Sequence, residues 1–295
     1  MPAEHDVLSA SKPALMQERL DRLFELARSL PVLDNEVIAD LSVHSARIQA
    51  SLALNAEERA EIERSTREQS GSCRWNAEHV GRITASIAHR VLKGAESQGP
   101  DGLVRAIMRY DQFQDKFLSS SNPRKHGLRL EPLARKAYIE QKAAEGVSSV
   151  VEERGLIVFP QYSFLAASTD GSVTEDADGT TEARGLLGIK CPVGQKTIEA
   201  LAASRKNICL KLTESGSLKL KHKHAYYTQV QLEMAVTGRP WTDFVVFTSL
   251  DEDEGKDTDI FIERIYFSSS FWENKLLPAA KAVFFNFVVW SYLHA

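Results

Sequence analysis

The sequence predicts an α/β (α+β) fold in which one sheet is flanked by helices and preceded by a helical N-terminal appendage. Three observations carry that expectation. Short apolar strand patterns form a meander from Val150 to Lys190. Segments with apolar residues at helical spacing lie on both sides of it. A second pair of alternating segments returns after residue 240.

The N-terminal part reads as helical. Leu15, Leu20, Leu23, Leu26 and Ala27 recur at helical spacing over 13–30, and Pro31 and Asp34 mark a break and a fresh N-cap. Val37, Leu41, Val43, Ile48 and Leu52 form a second pattern, and a charged third one starts near Asn55. These residues hold no recognisable chemistry. They are expected to form an appendage over 1–70, or helices packed on the main domain over 71–295.

From Cys73 the composition changes. Helices are expected over 84–93, over 101–110 and from about Pro123 to Lys142, with the proline near the helix start, where it is tolerated. Strands come next at Val150–Phe159, Ser163–Ala167, Gly171–Val173 and Gly185–Lys190, the last two joined by a hairpin rich in Asp, Gly and Thr. Then come helices over 194–203 and 225–237, the second closed by Gly238 at its C-cap. Trp241–Thr248 and Asp259–Tyr266 alternate as a strand pair, and a helix over 271–291 ends the pattern.

The 295 residues carry a net charge of −4, which excludes a uniformly basic nucleic-acid-coating protein but permits a basic groove. Three widely spaced cysteines, Cys73, Cys191 and Cys209, fit a reducing compartment and argue against a disulfide framework or a zinc site. The first twenty residues lack an apolar signal core. The apolar run Ala279–Leu293 is interrupted by Lys281 and Asn286, so it reads as a buried helix rather than a span. The expectation is an intracellular protein, nuclear or cytoplasmic, away from membranes.

The chemistry centres on Asp170 and Lys190. Asp170 comes after an apolar strand, and Lys190 ends the strand on the far side of a hairpin. The side-chain period of two puts Lys190 on the same face as residue 188. Carboxylate oxygens that hold magnesium, with a nearby cation, are what phosphodiester hydrolysis by water requires. On their own, these two residues would also suit an ordinary solvated hairpin.

Further motifs fall in order around them. Thr66–Arg67–Glu68–Gln69 and Trp75 come first, then Gly81–Arg82–Ile83–Thr84–Ala85–Ser86. Gly127 and Glu131 are next, then Ala167–Ser168–Thr169–Asp170–Gly171, Ile189–Lys190–Cys191–Pro192 and Tyr227–Thr228–Gln229–Val230–Gln231. In this order the chain resembles the YqaJ-like viral recombinase family, related to lambda exonuclease, within the PD-(D/E)xK nuclease superfamily.

That resemblance implies a central mixed sheet of the restriction-endonuclease kind and a metal-dependent deoxyribonuclease. The implied activity is digestion of linear double-stranded DNA from a 5′ end, in recombination or repair. It implies Mg2+, with Mn2+ as substitute, held by Glu131, Asp170 and the backbone carbonyl of Ile189. Lys190 would orient the attacking water, with Gln229 beside the site. Ser86 would meet the 5′ phosphate, with Thr84 and Gln231 also at the DNA. Related exonucleases form rings of three subunits and work with a strand-annealing partner, so a homotrimer and a single-strand annealing protein are permitted partners.

The sequence departs from the family at two positions. Gly188 stands where the family strand has a Glu, so one metal-binding carboxylate is missing. A deliberate disabling substitution, a natural loss that leaves a DNA-end-binding pseudonuclease, and migration of the acid all account for this. The first two together outweigh the third, for which Glu233 is the best-placed acid and Glu182 a weaker one. His79 stands where the family has a phosphate-gripping arginine, and Arg82 or Arg74 could compensate. The stretch 205–224 is basic, and Lys219, Lys221 and Lys223 would share one face if it formed a strand along the DNA backbone.

Overall fold

The computed structural model describes residues 12–29, 41–94, 101–109, 122–176, 182–194, 197–203, 209–249 and 258–289. The expected features at 31–40, at the hairpin tip 177–181 and at Arg205 and Lys206 lie outside the described residues.

The described residues begin with three helices: α1 (Lys12–Ser29), α2 (Leu41–Ser51) and α3 (Ala56–Ser65). Asn55 caps α3 with a reciprocal capping box to Glu58, which explains why the charged segment starts where it does. Met16, Leu20, Leu23 and Ile48 are buried in one cluster with Val80, Ile107 and Phe284, so α1 and α2 pack onto later parts of the chain.

Next come α4 (Cys73–Glu78), β1 (Ile83–Thr84), a 3-10 turn (Ala85–Ile87), α5 (Ala88–Gly94), α6 (Asp101–Met108) and α7 (Asn122–Ala144). The strands β2 (Ser148–Glu152), β3 (Ile157–Val158), β4 (Leu165–Ala167), β5 (Gly171–Asp176) and β6 (Glu182–Lys190) come after them. Then α8 (Ile198–Ala203), a hairpin of β7 (Leu210–Leu212) and β8 (Leu218–Leu220), and α9 (Ala225–Thr237) lead to β9 (Trp241–Ser249) and β10 (Thr258–Tyr266). The C-terminal helix begins as α10 (Ser269–Phe271), widens into a π turn over 272–276, continues as α11 (Leu277–Val283) and widens again over 284–288.

The main sheet has the order β10-β9-β6-β5-β2. The β6–β9 pair is parallel and the other pairs are antiparallel, so the sheet is mixed. Alternation along β6 assigns its two faces. Leu187 and Ile189 pack with Leu130, Ala134 and Tyr138 of α7. Leu186 packs on the other side with Val230 and Met234 of α9. Strand β6 is thus a central strand sandwiched between two helices.

The sequence pattern implies one sheet, and the described residues form three. Val150–Phe159 is broken at Gly155, where a Cβ would run into the carbonyl oxygen of Glu63, and its amide donates to Glu63 Oε1 at 3.1 Å. Beyond that break β3 joins β4 and β1 in a separate sheet, and Ser163–Ala167 goes with it. The helix expected over 84–93 becomes regular only at Ala88, because Ile83 and Thr84 pair with Leu165 and Ala166 as a parallel strand. The helix Cys73–Glu78 is an element that the sequence pattern does not announce, while the basic stretch 205–224 holds the β7–β8 hairpin.

Candidate active site

The site lies at the end of β6 nearest Lys190. Gly171 pairs with Leu187, so Asp170, one residue earlier, sits beside the last residues of β6. Asp170 Oδ2 accepts the amide hydrogen of Ile189 at 2.6 Å and lies 3.8 Å from Lys190 Nζ.

Glu131 enters from α7. Leu130, Ala134 and Tyr138 fasten one stripe of that helix to the sheet, and Glu131 sits at its margin. Arg135, one turn on, reaches Glu131 at 3.1 Å, Glu153 at 2.5 Å and the Asp170 carbonyl at 3.1 Å. It therefore ties the helical acid to the strand acid. Sequence reasoning missed this role, although the spacing of four from Glu131 on one helix face was a usable signal.

Burial, and then the charge of Asp170, raise the pKa of Glu131 to about 7, against the opposing pull of Arg135 and Lys190. Lys190 is only one-fifth exposed. Burial would lower its pKa, but Asp170 and then Glu233 reverse that and raise it. Its ammonium also lies 5.3 Å from the centre of the Tyr226 ring.

The second wall is α9. His224 caps its start through Nδ1, and Gly238 closes it in the left-handed region at φ 67°. Gln229 is half-buried and donates to Glu233 Oε1 at 2.8 Å. Glu233 is fully buried in mid-helix. Burial and Asp170 push its pKa up to about 8, while Lys190 and Gln229 act against the rise.

Gly188 faces this helix. A Cβ there would stand 3.6 Å from Thr242 Cγ2 and 3.7 Å from Val230 Cγ1, ordinary contact distances. By contrast, a Cβ at Gly185 would meet the Trp241 ring, and one at Gly171 would meet Val151. Position 188 thus accommodates a Cβ, and its backbone does not require glycine.

Several expected DNA contacts need correcting. Arg82 is buried, with Nε donating to the Ser163 carbonyl at 3.0 Å and Nη1 at 2.5 Å from Glu78 Oε2. It belongs to a hub in which Arg19 and Arg74 also grip Glu78, at 2.9 and 2.7 Å. His79 is buried, its Nδ1 2.7 Å from the Trp75 carbonyl, and burial and Arg109 hold its pKa well below the usual value. Gln231 is fully buried and brackets the end of β10, donating to the Tyr266 carbonyl at 3.0 Å and accepting from the Ser268 amide at 2.8 Å. All three are buried and held by partners within the chain, which the expected surface role does not fit. Thr84 is buried too, but its hydroxyl lies 3.3 Å from that of Ser86, which is exposed.

Ser86 precedes α5, which packs on α9, and His89 Nδ1 lies 3.1 Å from Thr228 Oγ1 between them. On the basic side, Lys219 is exposed on β8 and pairs directly with Lys211 of β7. The strand ends at Leu220, so Lys221 and Lys223 lie in the next turn and do not continue one strand face.

A mixed α/β core with a strand-end aspartate and lysine and a helical glutamate fits the PD-(D/E)xK fold. The chain belongs to the YqaJ-like viral recombinase domain family, whose model matches residues 74–240. Among solved structures it is similar to an alkaline exonuclease, LHK-Exo, from Laribacter hongkongensis. Identity is 26% over 74% of this chain and 93% of that one, with a TM-score of 0.51. The same exonuclease in complex with dAMP matches at 26% identity over 73% and 92%, again at 0.51. The KSHV SOX–RNA complex matches at 16% identity over 98% and 90%, with a TM-score of 0.50, and shares the fold alone. No curated protein matches the chain. Among the described residues no helix is long and apolar enough to cross a membrane.

Proposed function

We propose that this chain is a metal-dependent exonuclease that hydrolyses phosphodiester bonds of linear double-stranded DNA, starting at a 5′ end. The observation that carries the reading is the meeting of Asp170, Lys190 and Glu131 at the end of β6, within the family-matched segment. Similarity to an alkaline exonuclease at 26% identity supports the same reaction class.

Magnesium is the cofactor this reading requires. Among the described residues no three His, Cys, Asp or Glu side chains converge as a full protein cage. Magnesium does not need one, since it keeps several waters and is held by one or two carboxylates plus substrate phosphate. Glu131 and Asp170 fit that demand. Burial first, and then the charge of Asp170, raise the Glu131 pKa, and a hard divalent cation favours the ionised form of both carboxyls. Glu131, Asp170 and the Ile189 carbonyl would hold the ion, and Mn2+ suits the same oxygen donors. When bound, the ion supplies charge stabilisation at the scissile phosphate and a more acidic water.

The chain's own residues do the rest. Lys190, held between Asp170 and the Tyr226 ring, keeps its proton and offers a fixed positive charge to the phosphate or the attacking water. Ser86 offers an exposed hydroxyl to a terminal phosphate. Lys219 and Lys223 offer sequence-independent contacts along the backbone. A ring of three subunits and a strand-annealing partner belong to this reading by family likeness.

Gly188 favours a second reading, a DNA-end-binding protein without cleavage. End-labelled linear duplex, incubated with Mg2+ and either the chain or its Asp170→Asn variant, separates the two. Digestion that Asp170→Asn abolishes supports the nuclease. Tight end binding without digestion, from both this chain and its Gly188→Glu variant, supports the binding protein.

A further inference from the structure

We propose that Glu233 of α9 supplies the third carboxyl group of the site, in place of the strand carboxylate that is absent at Gly188. The proposal rests on the nuclease reading and names a positioning residue within it.

Three observations meet at this point. The first is the room at position 188. Its Cβ direction points at Val230 at 3.7 Å and Thr242 at 3.6 Å, with no backbone conformation that demands glycine. A glycine inside a central strand weakens it and usually has a packing reason, as at Gly185 and Gly171. At Gly188 a Cβ meets only ordinary contacts, so no clash of that kind calls for the glycine.

The second is the helix face that looks at this position. Tyr226, Val230 and Glu233 are spaced four and three residues apart and lie along one stripe of α9. Tyr226 meets Lys190, and Val230 meets the Cβ direction of Gly188. Glu233 is the next residue of the same stripe. The helix therefore presents a carboxylate to the face of β6 from which a residue-188 carboxylate would project.

The third is the burial of Glu233. Its relative exposure is 2%. A carboxylate buried in mid-helix is costly unless it is paired or used. Gln229 gives it one neutral hydrogen bond at 2.8 Å, and the cation that acts on it is Lys190. Glu233 and Asp170 in turn act together on Lys190. An acid of this kind, behind the ligands Glu131 and Asp170, bears on a hydrated cation by holding Lys190 in place, and by its own charge once a nearby cation favours its ionised form. Residues behind the direct ligands typically change metal affinity or activity by about 10–100-fold when lost.

The test uses four forms of the full chain: the original, Glu233→Gln, Gly188→Glu and the double variant Gly188→Glu/Glu233→Gln. Each is titrated with Mn2+ by calorimetry and assayed on end-labelled linear duplex. Gln preserves the shape of Glu233 and its contact with Gln229. The proposal expects the original chain to bind Mn2+ and digest DNA. Glu233→Gln should lose about tenfold or more in Mn2+ affinity and about 100-fold in rate. The double variant should recover most of both, because a carboxylate returns to the same face. A purely structural role for Glu233 gives no such rescue.

Equal Mn2+ affinity and rate in the original and Glu233→Gln forms overturns the proposal. So does a double variant as silent as Glu233→Gln while Gly188→Glu alone is active. If the original neither binds Mn2+ nor digests and Gly188→Glu does both, the proposal falls and the nuclease reading stands. If all four forms are silent in both measurements, the nuclease reading falls and takes the proposal with it.

Discussion

Asp170 Oδ2 accepts the backbone amide of Ile189 at 2.6 Å, so the same carboxylate that faces Lys190 also locks the start of β5 to the end of β6. Charge and geometry can be removed separately at this residue. Asp170→Asn keeps an acceptor oxygen and loses the charge, whereas Asp170→Ala loses both. Both should lower DNA digestion by about 100-fold or more, as expected for loss of a group that stabilises the reacting charge. Only Asp170→Ala should also lower stability, by roughly 1–2 kcal/mol for the orphaned amide. Thermal unfolding beside the digestion assay checks both. Equal unfolding temperatures for the two variants would show that the hydrogen bond does not hold the strand end.

Lys190 lies between Asp170 and the Tyr226 ring, and a guanidinium is a poor substitute for a compact ammonium in that slot. Lys190→Met and Lys190→Arg should each reduce the single-turnover rate, Lys190→Met by on the order of 100-fold. Extra magnesium should not restore it, because the lost group acts on the phosphate or the water. Recovery of the Lys190→Met rate at high magnesium would instead assign Lys190 to cation binding.

Much of this arrangement was legible in the sequence because it depends on local order. The Asp170–Lys190 pair is joined by a hairpin, and a strand period of two puts residue 188 and Lys190 on one face. The Gly238 C-cap and the helix before it were readable for the same reason. The features that were not legible depend on distant packing. A strand broken at Gly155 is explained only by the helix carbonyl that approaches it from residue 63. Arg82 and Gln231 look like surface contacts in a motif, yet Glu78 and the end of β10 claim them. A polar side chain whose partner lies in another element cannot be told from a ligand contact by spacing alone.

The exposed lysines of the β7–β8 hairpin and the turn after it test the DNA path. Lys219 and Lys223 are both solvent-exposed. Lys219→Ala and Lys223→Ala should each reduce the slope of log affinity against log salt by about one, the signature of one lost phosphate contact. The digestion rate at saturating DNA should not change. Fluorescence anisotropy of a labelled duplex across a salt series measures the slopes, and unchanged slopes in both variants would move the DNA path away from this hairpin.

The Glu78 hub sets how the fold responds to acid. Glu78 is buried, and burial alone would raise its pKa. Arg19, Arg82 and Arg74 overcome this and hold it down to about 2, against an ordinary value of 4.5. A folded-state pKa below the unfolded one gives stability that is present above the unfolded value and lost as pH falls towards the folded value. The shift corresponds to about 3 kcal/mol. Glu78→Gln should remove a similar amount at neutral pH, and breaking the buried cluster makes about 3–5 kcal/mol reasonable. Chemical denaturation between pH 6 and pH 2 should then show the original chain losing stability below about pH 4.5. The variant should show a flatter profile. Parallel acid profiles for the two forms would mean that Glu78 is not the group through which acid loosens the joint between α1 and α4.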